Sequence, residues 1–304
     1  MNNLVIDKQN GTVAFNEKQH KYWDTTDSSI KFTSVTTMIE EFGQPFDKEF
    51  WSAYKALEKL IPTDEWKIEK KSLLNTKKFD ESILDVHNIS IDDFNKEQQG
   101  ILDMWDKENR QSCERGTKIH ADLENSFYKA KKNISLDKYQ IGGKFECQKD
   151  RTTLDLENAV YPEYLIHWNS PSGRLHIAGQ IDLLVKKGNS IVIGDWKTNK
   201  KLDLKSFYDS KIRSSVKMKF PLNNLDDCNY QHYCLQLSTY AYIIESYNPD
   251  FIIEDLVLVH FDHNDNMTVY HLPYLKKEVE RMLSYYEKEH LLKERRAKNK
   301  RIEY

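Results

Sequence analysis

Apolar residues fall into short alternating or continuous runs in the middle of the chain and into helical spacings on either side. Residues 4–32 alternate over short lengths, with turn signals at Asn10-Gly11 and between Asp24 and Ser29, which predicts short strands. Thr33 or Ser34 stands where it can cap a helix over Val35 to Phe42. From 46 to 110 the spacing turns helical, with charged stretches such as Glu65 to Lys78. Phe50, Trp51, Tyr54 and Leu57 recur at helical intervals there and read as core. A helix is predicted over Asp92 to Leu123, broken near Gly116. Three strands follow, Tyr161 to Trp168, Leu175 to Val185 and Ser190 to Lys197, the last two joined by a turn at Gly188-Asn189. Tyr230 to Tyr247 reads as a helix with Pro249 beyond its end. Phe251 to Phe261 and Met267 to Leu272 read as a hairpin, and Tyr274 onwards as a long charged helix. No internal repeat or low-complexity linker interrupts this order. The expected fold is α/β, a mixed central sheet flanked by helices with a helical N-terminal addition. The expected divisions are 1–110 (strands plus a helical insertion or lid), 111–272 (the core) and 273–304 (a charged helix).

Composition changes this picture little. The 304 residues suffice for one large domain or two, and plentiful aromatics with sparse Gly and Pro describe a soluble, helix-rich globular protein. A net charge of −3 gives no global basic field. Basic residues cluster locally instead. Lys197, Lys200, Lys201, Lys205, Lys211, Arg213, Lys217 and Lys219 follow one central strand directly, which favours phosphate contact. A second group, Lys288 to Arg301, reads equally well as a solvated helix end. The cysteines at 113, 147, 228 and 234 show no C-x-x-C spacing, and no secretory or Arg-rich leader precedes them. Reduced thiols and a cytoplasmic location are expected. No apolar run approaches membrane-spanning length, so no membrane partner is expected.

The candidate chemistry lies between Ala178 and Lys200. Asp182, Asp195 and Lys197 are carried by hydrophobic strands, and Asp195 and Lys197, two positions apart, share a face. Ile193 and Trp196 beside them suggest burial on both faces. Two carboxylates and an ammonium converging in a buried place call for a divalent cation. The bland alternative is a half-buried Asp195–Lys197 ion pair. His120 occurs in Gly-Thr-x-x-His, four residues before Glu124, so both face one side of a helix. Glu163 precedes Asp182 on a neighbouring strand, either as a ligand or as a charge at a strand edge. His260, Asp262, His263 and Asp265 resemble a metal cluster in composition but read as a hairpin turn. A Ca²⁺ loop there would need Gly and Glu where Met267 and Pro273 stand. No Walker-type loop is present, so no ATP site is expected.

Gly179-Gln180-Ile181-Asp182 followed by Gly194-Asp195-Trp196-Lys197-Thr198 resembles the PD-(D/E)XK nuclease superfamily. Three flanking motifs point to its RecB-like branch: Arg115-Gly116-Thr117-Lys118-Ile119-His120, Pro162-Glu163-Tyr164, and Gln236-Leu237-Ser238-Thr239-Tyr240. The opening, His20 to Trp23 and Phe32 to Thr36, looks like the start of phage and mitochondrial-type exonucleases of that branch. The resemblance implies a restriction-endonuclease-like core and a Mg²⁺- or Mn²⁺-dependent deoxyribonuclease, with Asp182, Asp195 and Lys197 as catalytic residues. His120, Asp182, Asp195 and the Trp196 carbonyl would be the ligands, with Glu163 as a further one. Gln236, Tyr240, Arg115, Thr198 and Lys200 would support the site or hold DNA. Some relatives carry an iron–sulfur cluster. Cys228 and Cys234 precede Gln236 here and no cysteine follows Tyr240, so none is expected. The implied function is exonuclease digestion of single-stranded or free-ended DNA in phage-like replication, recombination or repair, with room for a helicase or single-strand-binding partner. Trp51 and Trp66 are the expected base-stacking aromatics. The alternatives are a structure-selective or site-specific endonuclease on the same core, and a non-catalytic DNA-binding subunit. Retention of all three of Asp182, Asp195 and Lys197 argues against the last.

Overall fold

The computed structural model describes residues 6–148, 155–209 and 213–302. Lys211 of the basic cluster, the first five residues and most side chains of the basic tail beyond 289 lie outside the described residues.

In chain order the elements begin with β1 (Lys8–Asn10), β2 (Val13–Asn16), β3 (Lys21–Asp24) and β4 (Thr33–Ser34). The helices α1 (Val35–Glu40), α2 (Lys48–Leu60), α3 (Thr63–Thr76), α4 (Ser82–Val86) and α5 (Ile91–Ala130) follow. Next come β5 (Ile134–Leu136), β6 (Ile141–Phe145), β7 (Ala159–Asn169), β8 (His176–Lys187) and β9 (Ser190–Lys197). The two-residue strands β10 (Tyr208–Asp209) and β11 (Ser214–Ser215) precede α6 (Asn229–Tyr247), β12 (Ile252–Phe261), β13 (Met267–His271) and α7 (Lys276–Ile302). The chain divides into two compact units. One comprises residues 1–44, 118–208 and 215–304, the other 45–117 and 209–214.

The larger unit is a mixed six-stranded sheet in the order β13-β12-β9-β8-β4, with β7 also paired to β8. β8 runs antiparallel to both β7 and β9, whereas β12 is parallel to β9 and β4 parallel to β8. On one face Ile191, Ile193, Leu256 and Leu258 pack with Leu237 and Ala241 of α6 and Met282 of α7. On the other, Val192, Trp196, Val257 and Val259 pack with Phe127 of α5 and Tyr139, Ile141 and Phe145 around the β5–β6 hairpin. Both faces of β9 are thus closed, as its continuous apolar run requires. β1, β2 and β3 form a separate antiparallel sheet whose Val13, Phe15 and Tyr22 pack with Leu165 and Ala178. Ser34 caps α1, accepting the Thr37 N–H at 3.0 Å.

The smaller unit is helical. Phe50, Tyr54 and Leu57 of α2, Trp66 and Leu73 of α3, and Phe94 and Ile101 of α5 share one core. Asp47 caps α2 through the Phe50 N–H at 2.9 Å. Two sequence expectations are corrected here. α5 is one unbroken helix of 40 residues that passes straight through Gly116. A mid-helix glycine costs only about 1 kcal/mol, which a helix this long absorbs. Trp66, 6 % exposed, is core, and Trp51 is half-buried against Phe50 and Tyr54 with Lys77 Nζ 4.4 Å from its ring centre, so neither presents a free face to a base.

Candidate functional site

A local fault in the sheet positions the acidic groups. Pro162 pairs with Leu183 and Tyr164 with Ile181, so Glu163 and Asp182 are the two residues left between these pairs. The alternation of faces shifts by one at this point on both strands. Ile181 and Leu184 enter one core cluster while Leu183 and Val185 enter the other. Tyr161 and Tyr164, three apart, share a cluster. Glu163 absorbs the shift with φ +52°, a left-handed value that an ordinary side chain adopts at a cost. The β8–β9 ladder stops at Leu183–Gly194. Beyond it the Trp196 N–H is taken by Asp182 Oδ2 at 2.7 Å instead of by a backbone carbonyl. The fold therefore sets two buried carboxylates, Glu163 at 7 % and Asp182 at 6 % exposure, opposite each other on adjacent strands. Like charges so placed repel unless a cation or proton lies between them.

His120 of α5 lies between them. Its Nδ1 is 3.2 Å from Glu163 Oε1 and 3.6 Å from Asp182 Oδ1, and its Nε2 is 3.2 Å from the Trp196 carbonyl oxygen. Where both carboxylates are ionised each ring nitrogen donates, since a carbonyl and an ionised carboxylate only accept, and the ring carries a positive charge. Burial opposes that charge, but Asp182 and Glu163 outweigh it and hold His120 up at about 9. One ligand atom each from His120, Glu163 and Asp182 lies within 4.8 Å of the others, so these three form a cluster that could hold a metal ion. A ring nitrogen with carboxylate oxygens suits a small divalent cation. Displacing the shared proton would free all three groups for it.

Asp195 and Lys197 project from β9 on the α6 side. Asp195 is 1 % exposed, and the Lys197 ammonium lies 2.6 Å from its Oδ2. Its Oδ1 accepts from Gln236 Nε2 at 3.2 Å, and the same amide lies 3.3 Å from the Tyr240 hydroxyl. Burial lifts Asp195 to about 6, against the pull of Lys197 and with the repulsion of Asp182. Burial also lifts Asp182, with His120 opposing and Glu163 adding. Lys197 is raised: burial alone would depress it, and Asp195 and Asp182 reverse that. Its Nζ also sits 5.0 Å from the Tyr233 ring centre. The expectation that Asp195 and Lys197 share a face matches this arrangement. Asp195 stands outside the three-residue cluster, its carboxylate engaged by Lys197 and Gln236.

Gly179 has a steric reason to be glycine. A Cβ there would lie 2.6 Å from Tyr240 Cε1 and 2.9 Å from its hydroxyl, so the tyrosine ring occupies the space a side chain would need. Thr198 is half-buried and Lys200 exposed just beyond the end of β9, and Arg115 lies five residues before His120 on α5. Other members of the basic cluster bind the chain itself: Lys201 pairs with Asp203 and Lys217 with Asp226, each at 2.5 Å, while Lys219 Nζ donates to the Glu41 carbonyl at 3.1 Å. His260 is not in a turn as expected. It lies on β12 beside Lys197 and bonds the Asn199 carbonyl at 2.7 Å. Asp262 does organise the turn, accepting the N–H groups of Asn264 and Asn266 at 2.8 and 2.9 Å.

Three neighbours of the acidic pair escaped the sequence reading. Gln180 Nε2 donates to Glu163 Oε2. Lys8 Nζ lies 3.8 Å from that same oxygen and 3.2 Å from Glu124 Oε1. The Tyr22 phenol is pushed up by burial and further by Glu163 and Asp182. Gln180 was legible in principle, being two residues before Asp182 and therefore on its face. Lys8 and Tyr22 belong to the separate N-terminal sheet, and no local signal ties them to residues far along the chain.

No protein-family model matches this chain, and no curated protein matches it. Among solved structures, SSO0001 is similar over 41 % of this chain at 16 % identity with a TM-score of 0.25, and this chain covers about half of that one, 48 %. A structure from Eubacterium rectale provisionally named an exonuclease is similar over 84 % of this chain and 77 % of its own, at 10 % identity with a TM-score of 0.31.

Proposed function

We propose that this chain is a metal-dependent nuclease with a PD-(D/E)XK-type core, acting as an exonuclease on single-stranded or free-ended DNA. One observation carries the proposal. Glu163 and Asp182 face each other in a buried break of the sheet with His120 between them, and the Asp195–Lys197 pair stands on the next strand. A purely structural site would have little use for three buried carboxylates beside one lysine, because each costs desolvation energy without a compensating role.

His120, Glu163 and Asp182 would hold the cation, with the Trp196 carbonyl and Asp195 completing its surroundings. A bound Mg²⁺ or Mn²⁺ would polarise the scissile phosphate and acidify its water. Lys197 would hold the attacking water or oppose the charge that grows on the phosphate, its ammonium kept in position by Asp195. Gln236 fixes the other oxygen of Asp195, and Tyr240, backed against Gly179, fixes Gln236. Gln180 and Lys8 hold the second oxygen of Glu163. Thr198 and Lys200 would serve as phosphate contacts.

The test is digestion of end-labelled linear and closed circular single-stranded DNA with Mn²⁺, Mg²⁺ or EDTA, with Lys197→Ala alongside. Metal-dependent loss of the linear strand alone, slowed about 10²–10³-fold by the substitution, is the expected outcome. Cutting of circles would replace the exonuclease by an endonuclease. Full activity of Lys197→Ala would remove the assigned site.

A further inference from the structure

The segment that leaves β9 packs Leu202 against the core but leaves three later apolar side chains exposed. Leu204, Phe207 and Tyr208 are 53 %, 73 % and 60 % exposed, within five residues of chain. Exposed aromatics are common on slack loops, but this backbone is tied down on both sides. Asn199, two residues after Lys197, has its carbonyl bonded to His260 at 2.7 Å and its side-chain oxygen 3.3 Å from the Tyr233 hydroxyl. Asn229, at the first turn of α6, accepts the Asp203 N–H at 2.8 Å and donates to the Lys201 carbonyl at 3.0 Å. The Ser206 hydroxyl donates to the Val216 carbonyl at 2.6 Å, and the Phe207 carbonyl accepts the Val216 N–H at 2.9 Å. The two rings are therefore held out from a pinned strand-like segment, and their exposure belongs to the fold.

The charge of the same segment says what would cover them. From Lys197 to Lys205 there are four lysines, Lys197, Lys200, Lys201 and Lys205, against one acid, Asp203, in a chain whose net charge is −3. A local cationic run beside two projecting rings is complementary to a polyanion that carries flat, unstacked faces. A duplex offers phosphates but keeps its bases stacked on one another, so the rings would gain nothing from it.

We propose that Phe207 and Tyr208 form a base-stacking platform for single-stranded nucleic acid, with Lys200 and Lys205 on its backbone, leading the strand toward Lys197. This rests on the nuclease reading for its purpose, though not for its binding. It also replaces Trp51 and Trp66 in the stacking role.

The test is fluorescence anisotropy of a labelled single-stranded 15-mer in EDTA, where no cutting occurs, next to an abasic strand of equal length and charge. The Phe207→Ala/Tyr208→Ala double variant is expected to bind the normal strand about 10- to 100-fold more weakly than the parent. On the abasic strand parent and variant should agree within about 2-fold, because no ring faces a base there. Phe207→Tyr/Tyr208→Phe keeps both rings and should bind the normal strand as the parent does. Equal binding of the normal strand by parent and double alanine variant overturns the platform, as does an equal loss on the abasic strand or no binding by the parent at all. The same labelled strand with Mn²⁺ separates the two proposals. A parent that stacks but never cuts keeps the platform and loses the nuclease, while a parent that cuts and a double variant that binds undiminished does the reverse.

Discussion

At the scale of single residues the site is a problem of charge. Glu163 and Asp182 are tolerable together because His120 lies between them, and they in turn favour the charged form of its ring. Its raised value of about 9 sets a sign. The favourable contribution of the imidazolium is complete below the ordinary histidine value of about 6.5 and is lost as pH rises through 9, on the order of 3 kcal/mol. Metal-free protein should accordingly unfold at lower temperature at pH 9 than at pH 6.5, and His120→Ala should flatten that dependence. A cation that takes the same place must expel the proton. Calorimetry at pH 7.5 in buffers of different ionisation enthalpy should register release of about one proton per metal bound, and His120→Ala should abolish it. Gln180, which orients Glu163, gives a second expectation. Gln180→Ala should weaken Mn²⁺ binding about 10- to 100-fold while leaving thermal stability nearly unchanged, as for other partners of metal ligands. Of these residues His120, Glu163 and Asp182 were legible because each belongs to a spaced motif. Gln180 sat unread within one, and Lys8 and Tyr22 were invisible because only tertiary packing brings them near.

At the scale of elements, the strands β7, β8 and β9 and the helix α6 were readable because each carries a strand or helix pattern of apolar residues over most of its length. What failed to show was the fault between them. A strand read by strict alternation puts Ile181 and Leu183 on one face, and the fold divides them between two cores, while on the neighbouring strand Glu163 takes a left-handed φ that no residue preference announces. The parallel pairing of β12 with β9 was equally hidden, since the sequence advertises only the local hairpin with β13. The unbroken α5 shows the opposite error, a glycine given more weight than its small cost deserves. The contact of α6 with β8 yields a sharp expectation. Gly179→Ala would drive a methyl into the Tyr240 ring and should lower stability by about 1–3 kcal/mol by denaturant titration. It should also disturb the Tyr240–Gln236–Asp195 chain. An alanine variant as stable as the parent would mean that the ring is free to move aside.

At the scale of the molecule, a chain of net charge −3 has no general attraction for nucleic acid, so any binding must come from a few local cations. The logarithm of affinity for a single strand should then fall linearly with the logarithm of salt, with a slope of about −0.7 for each phosphate neutralised. Lys200→Ala/Lys205→Ala should make the slope shallower, and a slope that ignores both lysines would put the contacts elsewhere. The site itself is gathered from distant parts of the chain: Lys8, His120, Glu163, Asp182, Asp195, Lys197 and Gln236. A ribosome delivers these in order, so a growing chain carries its acids long before α6 arrives to fix Asp195. Contacts between such remote positions are among the last to form. In the nuclease proposed above, a copy that stops before α6 would lack the Gln236 amide that holds Asp195.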